Sequence, residues 1–350
     1  IEKTLPTAAA AAPRICVLRL SALGDVILAV PAVRALARAW PEARVTWITS
    51  PPMVSVLKGL PENVQVEAIP KPRGLGDWLD LRRQWKDRRY DLLLAMQASL
   101  RTNLLYPLIH APLKIGFDRP QARDGQGLFV NHRIAPGDRH LLDGFMAFAA
   151  AAGVTDLKVE WGLQLDAAAM AWVRQTAGDA PYLLLNPGAS KPERNWPLER
   201  NIGFARAAME RHGLRVVLCG GPSENERTAA AQIAAAVPGV IDLAGQTDLP
   251  RLFALIAAAR VLVSPDSGPV HIARAFDVPV VGLYASARPQ KTGPYKALEF
   301  TVDAYPEAVR QLLQKDPALV SWDTRMRDAR AMDLITVDAV LAKLQHVLGV

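Results

Sequence analysis

A chain of 350 residues is long enough for two domains of ordinary size, and with 50% hydrophobic and 21% charged residues it has material for buried cores. Its longest unbroken apolar runs, 145–152 and 252–259, are eight residues each, far short of the roughly 20 that a membrane-crossing helix needs. The formal charge of +7 suits a phosphorylated ligand or an anionic membrane face, and equally an arginine-rich background; no zinc-finger spacing or RNP-like aromatic motif accompanies it, which argues against nucleic acid.

Residues 1–13, Ala-rich with no long apolar stretch, read as a flexible lead and not as a secretory signal. The run 14–20 predicts a strand that stops at Ser21-Ala22-Leu23-Gly24-Asp25. A helix follows, because Val26, Ile27, Val30, Val33, Leu36 and Ala37 recur at three- and four-residue spacing. A β-rich run at 43–49, closed by Pro51 and Pro52, completes a βαβ unit and therefore implies a parallel sheet. Residues 160–181 hold no strong strand and read as the linker. Beyond it, strands are predicted at 182–185, 214–219, 261–264 and 278–284, with helices at 198–211, 224–236 and 252–259. The end of the chain is an amphipathic helix with Val337, Val340, Leu341, Leu344 and Val347 on one face. The fold class is α/β, with one block over 14–170, a second over 171–335 and a terminal helix over 336–350. Cys16 and Cys219 lie far apart in aliphatic runs and read as buried free thiols.

No G-x-G-x-x-G follows the first strand, and G-x-x-x-x-G-K-[ST], H-E-x-x-H and Asp-x-Asp are absent from the sequence. Dehydrogenase, P-loop and dedicated metal readings therefore lack their usual residues. What remains are four polar loops at the carboxyl ends of predicted strands, where open parallel sheets bind ligands. In Ser21–Asp25, Gly24 permits a sharp turn, and Asp25 is either a helix cap or a general base. In 186–197, small residues leave the backbone open while Ser190, Lys191 and Arg194 offer donors to phosphate oxygens; an ordinary turn with a packed Trp196 is the alternative. In Gly220-Gly221-Pro222-Ser223-Glu224, the carboxylate suits a ribose diol or simply the start of a helix. In 264–271, Ser267 and Gly268 open a helix whose N–H groups can face an anion, with Asp266 and His271 beside them.

Together and in this order, LSALGD (20–25), RNWP (194–197) and SPDSGPVHIA (264–273) resemble the ADP-heptose:lipopolysaccharide heptosyltransferases, inverting glycosyltransferases of family 9. That resemblance implies a GT-B fold, two Rossmann-like domains with parallel sheets facing across a cleft, the first taking the acceptor and the second the ADP-sugar. It implies Asp25 as catalytic base and Arg194 as a second catalytic group. Arg194 stands where the family has Lys, and Ser267 where Thr is frequent. Donor contacts are implied for Ser190, Lys191, Arg194, Glu224, Asp266, Ser267, Gly268 and His271. On the acceptor side the candidates are Ser21, Gly24, Arg101, Arg119, Arg123 and His140. No cofactor or metal is expected, since the ADP-heptose is a substrate.

The implied acceptor is Kdo-lipid A or an already heptosylated lipopolysaccharide core. The enzyme is then expected in the cytoplasm, peripheral on the inner face of the inner membrane. The basic zone Arg82, Arg83, Lys86, Arg88 and Arg89, with Trp78 and Trp85, is the candidate membrane-facing patch; a solvated helix face is its alternative. The terminal helix is expected to pack back on the N-terminal domain. A GT-B enzyme using another sugar nucleotide, or a non-catalytic sugar-nucleotide-binding protein, is the competing reading.

Overall fold

Every residue of Ile15–Leu18 is buried, as in a strand covered by helices on both faces. In the computed structural model, which describes residues 12–349, this strand starts the first of two units, divided between Gln164 and Leu165. The lead read over 1–13 thus lies, up to residue 11, outside the described residues.

In chain order the first unit runs β1 (Arg14–Leu18), α1 (Leu23–Ala39), β2 (Arg44–Thr49), α2 (Pro51–Val54), β3 (Val64–Ala68), α3 (Leu75–Trp85), β4 (Leu92–Ala95), α4 (Leu100–Asn103), β5 (Leu113–Gly116), β6 (His132–Arg133) and α5 (Leu141–Ala151). Its six strands pair in the order β3-β2-β1-β4-β5-β6, all parallel. The apolar face of α1 packs on α5. The long apolar run noted at 145–152 belongs to α5, which opens at a His140 cap.

The second unit runs α6 (Ala167–Ala177), β7 (Tyr182–Leu185), α7 (Leu198–His212), β8 (Arg215–Leu218), α8 (Glu224–Ala236), β9 (Ile241–Asp242), α9 (Leu249–Ala257), β10 (Val261–Pro265), α10 (Gly268–Ala275), β11 (Val280–Tyr284), α11 (Pro289–Thr292), β12 (Val302–Asp303), α12 (Tyr305–Leu313) and α13 (Val337–Leu348). Its strands pair as β12-β11-β10-β7-β8-β9, again all parallel. Renumbered from β7, this is the same order as in the first unit. Both are the doubly wound dinucleotide-binding order, in which the order of strands reverses between the first and the fourth.

Two expectations are corrected. The region read as linker contains α6, begun by Asp166, whose carboxylate accepts from the Ala169 N–H at 3.0 Å. The division accordingly falls earlier than the boundary expected after residue 170. The helix read at 252–259 starts at Leu249, because Asp248 caps it and Pro250 sits in its first turn, where a missing N–H costs nothing. The terminal helix α13 belongs to the second unit: Val340, Leu341 and Leu344 share a buried cluster with Leu183, Val216 and Val281. The apolar stripe of α13 finds its partner in α7 and β11, elements of its own unit. Both cysteines are free and buried. Among the described residues no helix is long and apolar enough to cross a membrane.

Candidate active site

In the first unit the reversal lies between β1 and β4, so the loops leaving these strands diverge and open a crevice. Asp25 is in the first turn of α1, but the N-cap residue is Ala22 and no side chain caps the helix. Neither Ser21 nor Asp25 therefore has the capping role that the sequence left open. Instead the Asp25 carboxylate accepts from Arg19 Nη2. Arg19 is buried; its Nη1 donates to the Met96 carbonyl at 2.6 Å, and its guanidinium lies 5.2 Å from the centre of the Phe145 ring. These contacts fix the cation, and the cation fixes Asp25. The two diverging loops are joined by Gln97, whose Oε1 accepts from the Leu20 N–H at 2.8 Å and the Ser21 N–H at 3.3 Å.

Beside Ser21 opens a cavity of about 640 Å³. Ser21, Gln97 and Ser99 give it hydroxyl and amide groups, Lys71, Arg73 and Arg101 give it cations, and Trp78, Leu100 and Leu104 give it apolar surface. Arg119 and Arg123 are exposed on the loop after β5. That loop is tied to α4, which carries Arg101: Asn103 Nδ2 donates to the carbonyls of Arg123 at 3.1 Å and Asp124 at 2.9 Å. Gly24 is buried in the first turn of α1. His140 is buried, and its Nδ1 accepts from the Leu142 N–H at 3.1 Å as the cap of α5. The basic zone is also redrawn. Trp85 belongs to the core, and Arg88, half-buried, pairs with Glu67 at 2.5 Å. The exposed face of α3 instead carries Leu75 and Leu79 with Arg82 and Arg83.

In the second unit the reversal lies between β7 and β10. Asn186 follows β7 and is buried; its Nδ2 lies 2.9 Å from the Gly188 carbonyl, 3.0 Å from Ser264 Oγ and 3.1 Å from Ser267 Oγ. This one amide pins the loop after β7 to the loop after β10. Ser267 is the N-cap of α10, yet its hydroxyl is spent on Asn186 and Ser264, so no side chain caps that helix. Uncapped N–H groups and the helix dipole make such an end attractive to anions.

Asp266 precedes it, buried, with Arg194 Nη1 at 3.3 Å and Arg325 Nη1 at 3.6 Å from its Oδ2. Arg194 also donates to the Asp266 carbonyl at 3.3 Å. His271 is buried one turn into α10, and Ser190 and Lys191 are exposed in the loop that Arg194 ends. Gly188 is required by close approach: a Cβ there would lie 2.9 Å from Glu226 Cγ.

The acids of α8 divide their tasks. Glu226 accepts from the Gly221 N–H at 3.1 Å and from Ser223 Oγ at 2.5 Å, while Ser223 Oγ accepts from the Glu226 N–H at 3.4 Å. Ser223 thus caps α8 while Glu226 holds the Ser223 hydroxyl and the Gly221 N–H. Glu224 stays exposed at the first position of the helix. Burial, with Glu226 nearby, pushes the Cys219 thiol up to about 12. Among the described residues no three His, Cys, Asp or Glu side chains gather as a metal set. Arg19, Lys71, Arg73, Gln97, Asn186 and Arg325 were not singled out from sequence; only Asn186, at the head of a flagged loop, carried a signal that could have found it.

Residues 78–317 match glycosyltransferase family 9 (heptosyltransferase). The chain is 34% identical over 346 residues to the lipopolysaccharide core heptosyltransferase OpsX of Haemophilus influenzae, covering 97% of this chain and 99% of that protein. The chain belongs to glycosyltransferase family 9. Its fold agrees with that assignment. A family 9 glycosyltransferase from Veillonella parvula superposes with a TM-score of 0.76 at 22% identity, over 97% of each chain. The Escherichia coli heptosyltransferase WaaC with ADP does so with a TM-score of 0.72 at 20% identity, over 95% of this chain and 99% of that one. The architecture is thus the α/β GT-B type found in heptosyltransferases. The Ser21–Asp25 turn precedes the family-matched span, and Arg325 follows it.

Proposed function

We propose that this protein transfers L-glycero-D-manno-heptose from ADP-heptose to the Kdo/heptose inner core of lipopolysaccharide, with inversion at the anomeric carbon. The observation that carries the reading is Asp25, held at the β1/β4 reversal by a buried arginine and not used as a cap, in a chain whose relative over nearly its full length is a lipopolysaccharide core heptosyltransferase. The acceptor hydroxyl oxygen attacks the anomeric carbon while Asp25 takes its proton. The bond from that carbon to the diphosphate oxygen breaks, and ADP departs with the electron pair from the opposite face, so a single displacement inverts the configuration.

The charge developing on ADP is met by Arg194, Lys191 and the N–H groups at the start of α10, with Ser190, Asp266, Ser267, Gly268 and His271 shaping the diphosphate and sugar pocket and Glu224 taking the ribose. Preorganised donors of this kind are worth about 3–4 kcal/mol each in a transition state. No metal or cofactor takes part in this reading. The cavity beside Ser21 suits the acceptor, because Lys71, Arg73 and Arg101 match its carboxylates and phosphates while Trp78, Leu100 and Leu104 tolerate a sugar face or lipid. Arg119 and Arg123, exposed on the loop after β5, and His140 are assigned to the acceptor in this reading. The exposed Leu75 and Leu79, 84% and 51% accessible, beside Arg82 and Arg83 support peripheral attachment to the anionic cytoplasmic leaflet.

The deciding experiment measures ADP release from ADP-heptose with deacylated core acceptors, one bearing only Kdo and one already heptosylated, alongside Asp25→Ala. Acceptor-dependent release that vanishes in the variant is expected, and the acceptor that works names the step. A folded protein that binds ADP but releases none with either acceptor would shift the assignment to another sugar nucleotide or to a binding protein.

A further inference from the structure

Residues 314–336 form a strap across the loops at the carboxyl ends of the second sheet, and from 318 on they lie beyond the span that matches family 9. At the loop after β11, the Met326 N–H donates to the Ser286 carbonyl at 2.8 Å, Arg288 Nη2 donates to the Pro317 carbonyl at 3.1 Å, and Lys291 pairs with Asp323. At the loop after β7, the short turn Ala329–Leu334 packs on Pro192–Arg194, and Trp196 Nε1 donates to the Ile335 carbonyl at 2.9 Å. Met326, Ala331, Met332 and Ile335 anchor the strap in the core. The strap thereby carries Arg325 to Asp266, at the loop after β10.

The charge count there is informative. One carboxylate, with its side chain 6% exposed, meets two guanidiniums, and Arg194 alone would neutralise it. The second leaves an excess positive charge beside the uncapped start of α10, and Arg325 remains 39% exposed, so part of its fork stays open to a ligand. Position along the sheet says which part of a nucleoside diphosphate it would meet. Glu224 follows β8, whereas Arg325 sits by β10, with β7 between them. Two strand spacings are about 10 Å, roughly the reach from a ribose to its distal phosphate.

We infer that Arg325 is a second diphosphate-binding arginine of the donor site, supplied by the strap and held ready by Asp266 to grip the β-phosphate. The inference rests on the donor reading above. Its test is the calorimetric affinity of the full-length wild type, Arg325→Ala and Arg325→Lys for ADP and for AMP, with thermal melts of all three. Arg325→Ala should weaken ADP roughly 10- to 100-fold, the range of one charge-assisted hydrogen bond, and leave AMP and the melting temperature unchanged. Arg325→Lys should fall between, since a point charge replaces a planar fork, and it carries the test if the alanine variant does not fold. Equal weakening of ADP and AMP, or no change in either, overturns the inference while leaving the donor site intact. A wild type that does not prefer ADP to AMP overturns the donor reading itself.

Discussion

Arg19 gives Asp25 its chemical meaning. A carboxylate in the first turn of a helix ordinarily binds backbone N–H groups, but here it faces a guanidinium that is itself fixed by the Met96 carbonyl and the Phe145 ring. Asp25→Asn should therefore cost roughly 10²- to 10⁴-fold in turnover, the range for loss of a general base, while ADP binding to the other unit stays at its wild-type value by calorimetry. Asp25→Ala should in addition strip a buried arginine of its partner and cost about 1–2 kcal/mol of stability in a denaturant melt, tempered because the aspartate side chain is 30% exposed. Normal turnover by Asp25→Asn would reduce the pair to a structural one. The cysteines offer a separate check. Burial raises both thiols well above their ordinary range, so a thiolate reagent should label neither in the native protein and both after denaturation.

At the scale of elements, α13 closes the second core. Leu344 is fully buried there, and Leu344→Ala should destabilise by about 2–5 kcal/mol, read as a lower denaturation midpoint with donor contacts unaltered. Elements of this kind were legible in the sequence where the burial pattern is continuous or strictly periodic. β1, β2, β7, β8, β10 and β11 are read directly because internal parallel strands are mostly apolar or β-branched, and α1 and α13 because one stripe repeats. β6, β9 and β12 were missed, since two-residue edge strands leave no period to detect. β3 was missed because its residues are only half-buried, and β4 and β5 because runs of four residues are too short to tell from other buried segments. The site divides the same way. Asp25, Arg194 and Asp266 stand at strand ends marked by Gly and Pro, whereas Lys71, Arg73 and Arg325 come from irregular segments that only tertiary contacts bring into place.

For the molecule as a whole, two units share one strand order, and under the proposed function the +7 charge suits a phosphorylated donor and an anionic acceptor. Raising ionic strength should raise the KM for an acceptor embedded in anionic vesicles more than for the same acceptor deacylated, because each basic residue near such a surface contributes about 1 kcal/mol that salt screens. Leu75→Ser with Leu79→Ser should weaken vesicle co-sedimentation and spare turnover of the deacylated acceptor; unchanged sedimentation would assign that face of α3 to solvent. The strap has a consequence for anyone recombining relatives to trade donor or acceptor specificity. A crossover at residue 317, where the family match ends, would combine one parent's nucleotide loops with another parent's clasp, severing Ser286, Asp266 and Trp196 from the partners they evolved beside. The exchangeable module does not stop at residue 317 but runs on through the strap and α13, whose Val340, Leu341 and Leu344 complete the same core, and grafts that carry both should keep a working nucleotide pocket that shorter ones lose.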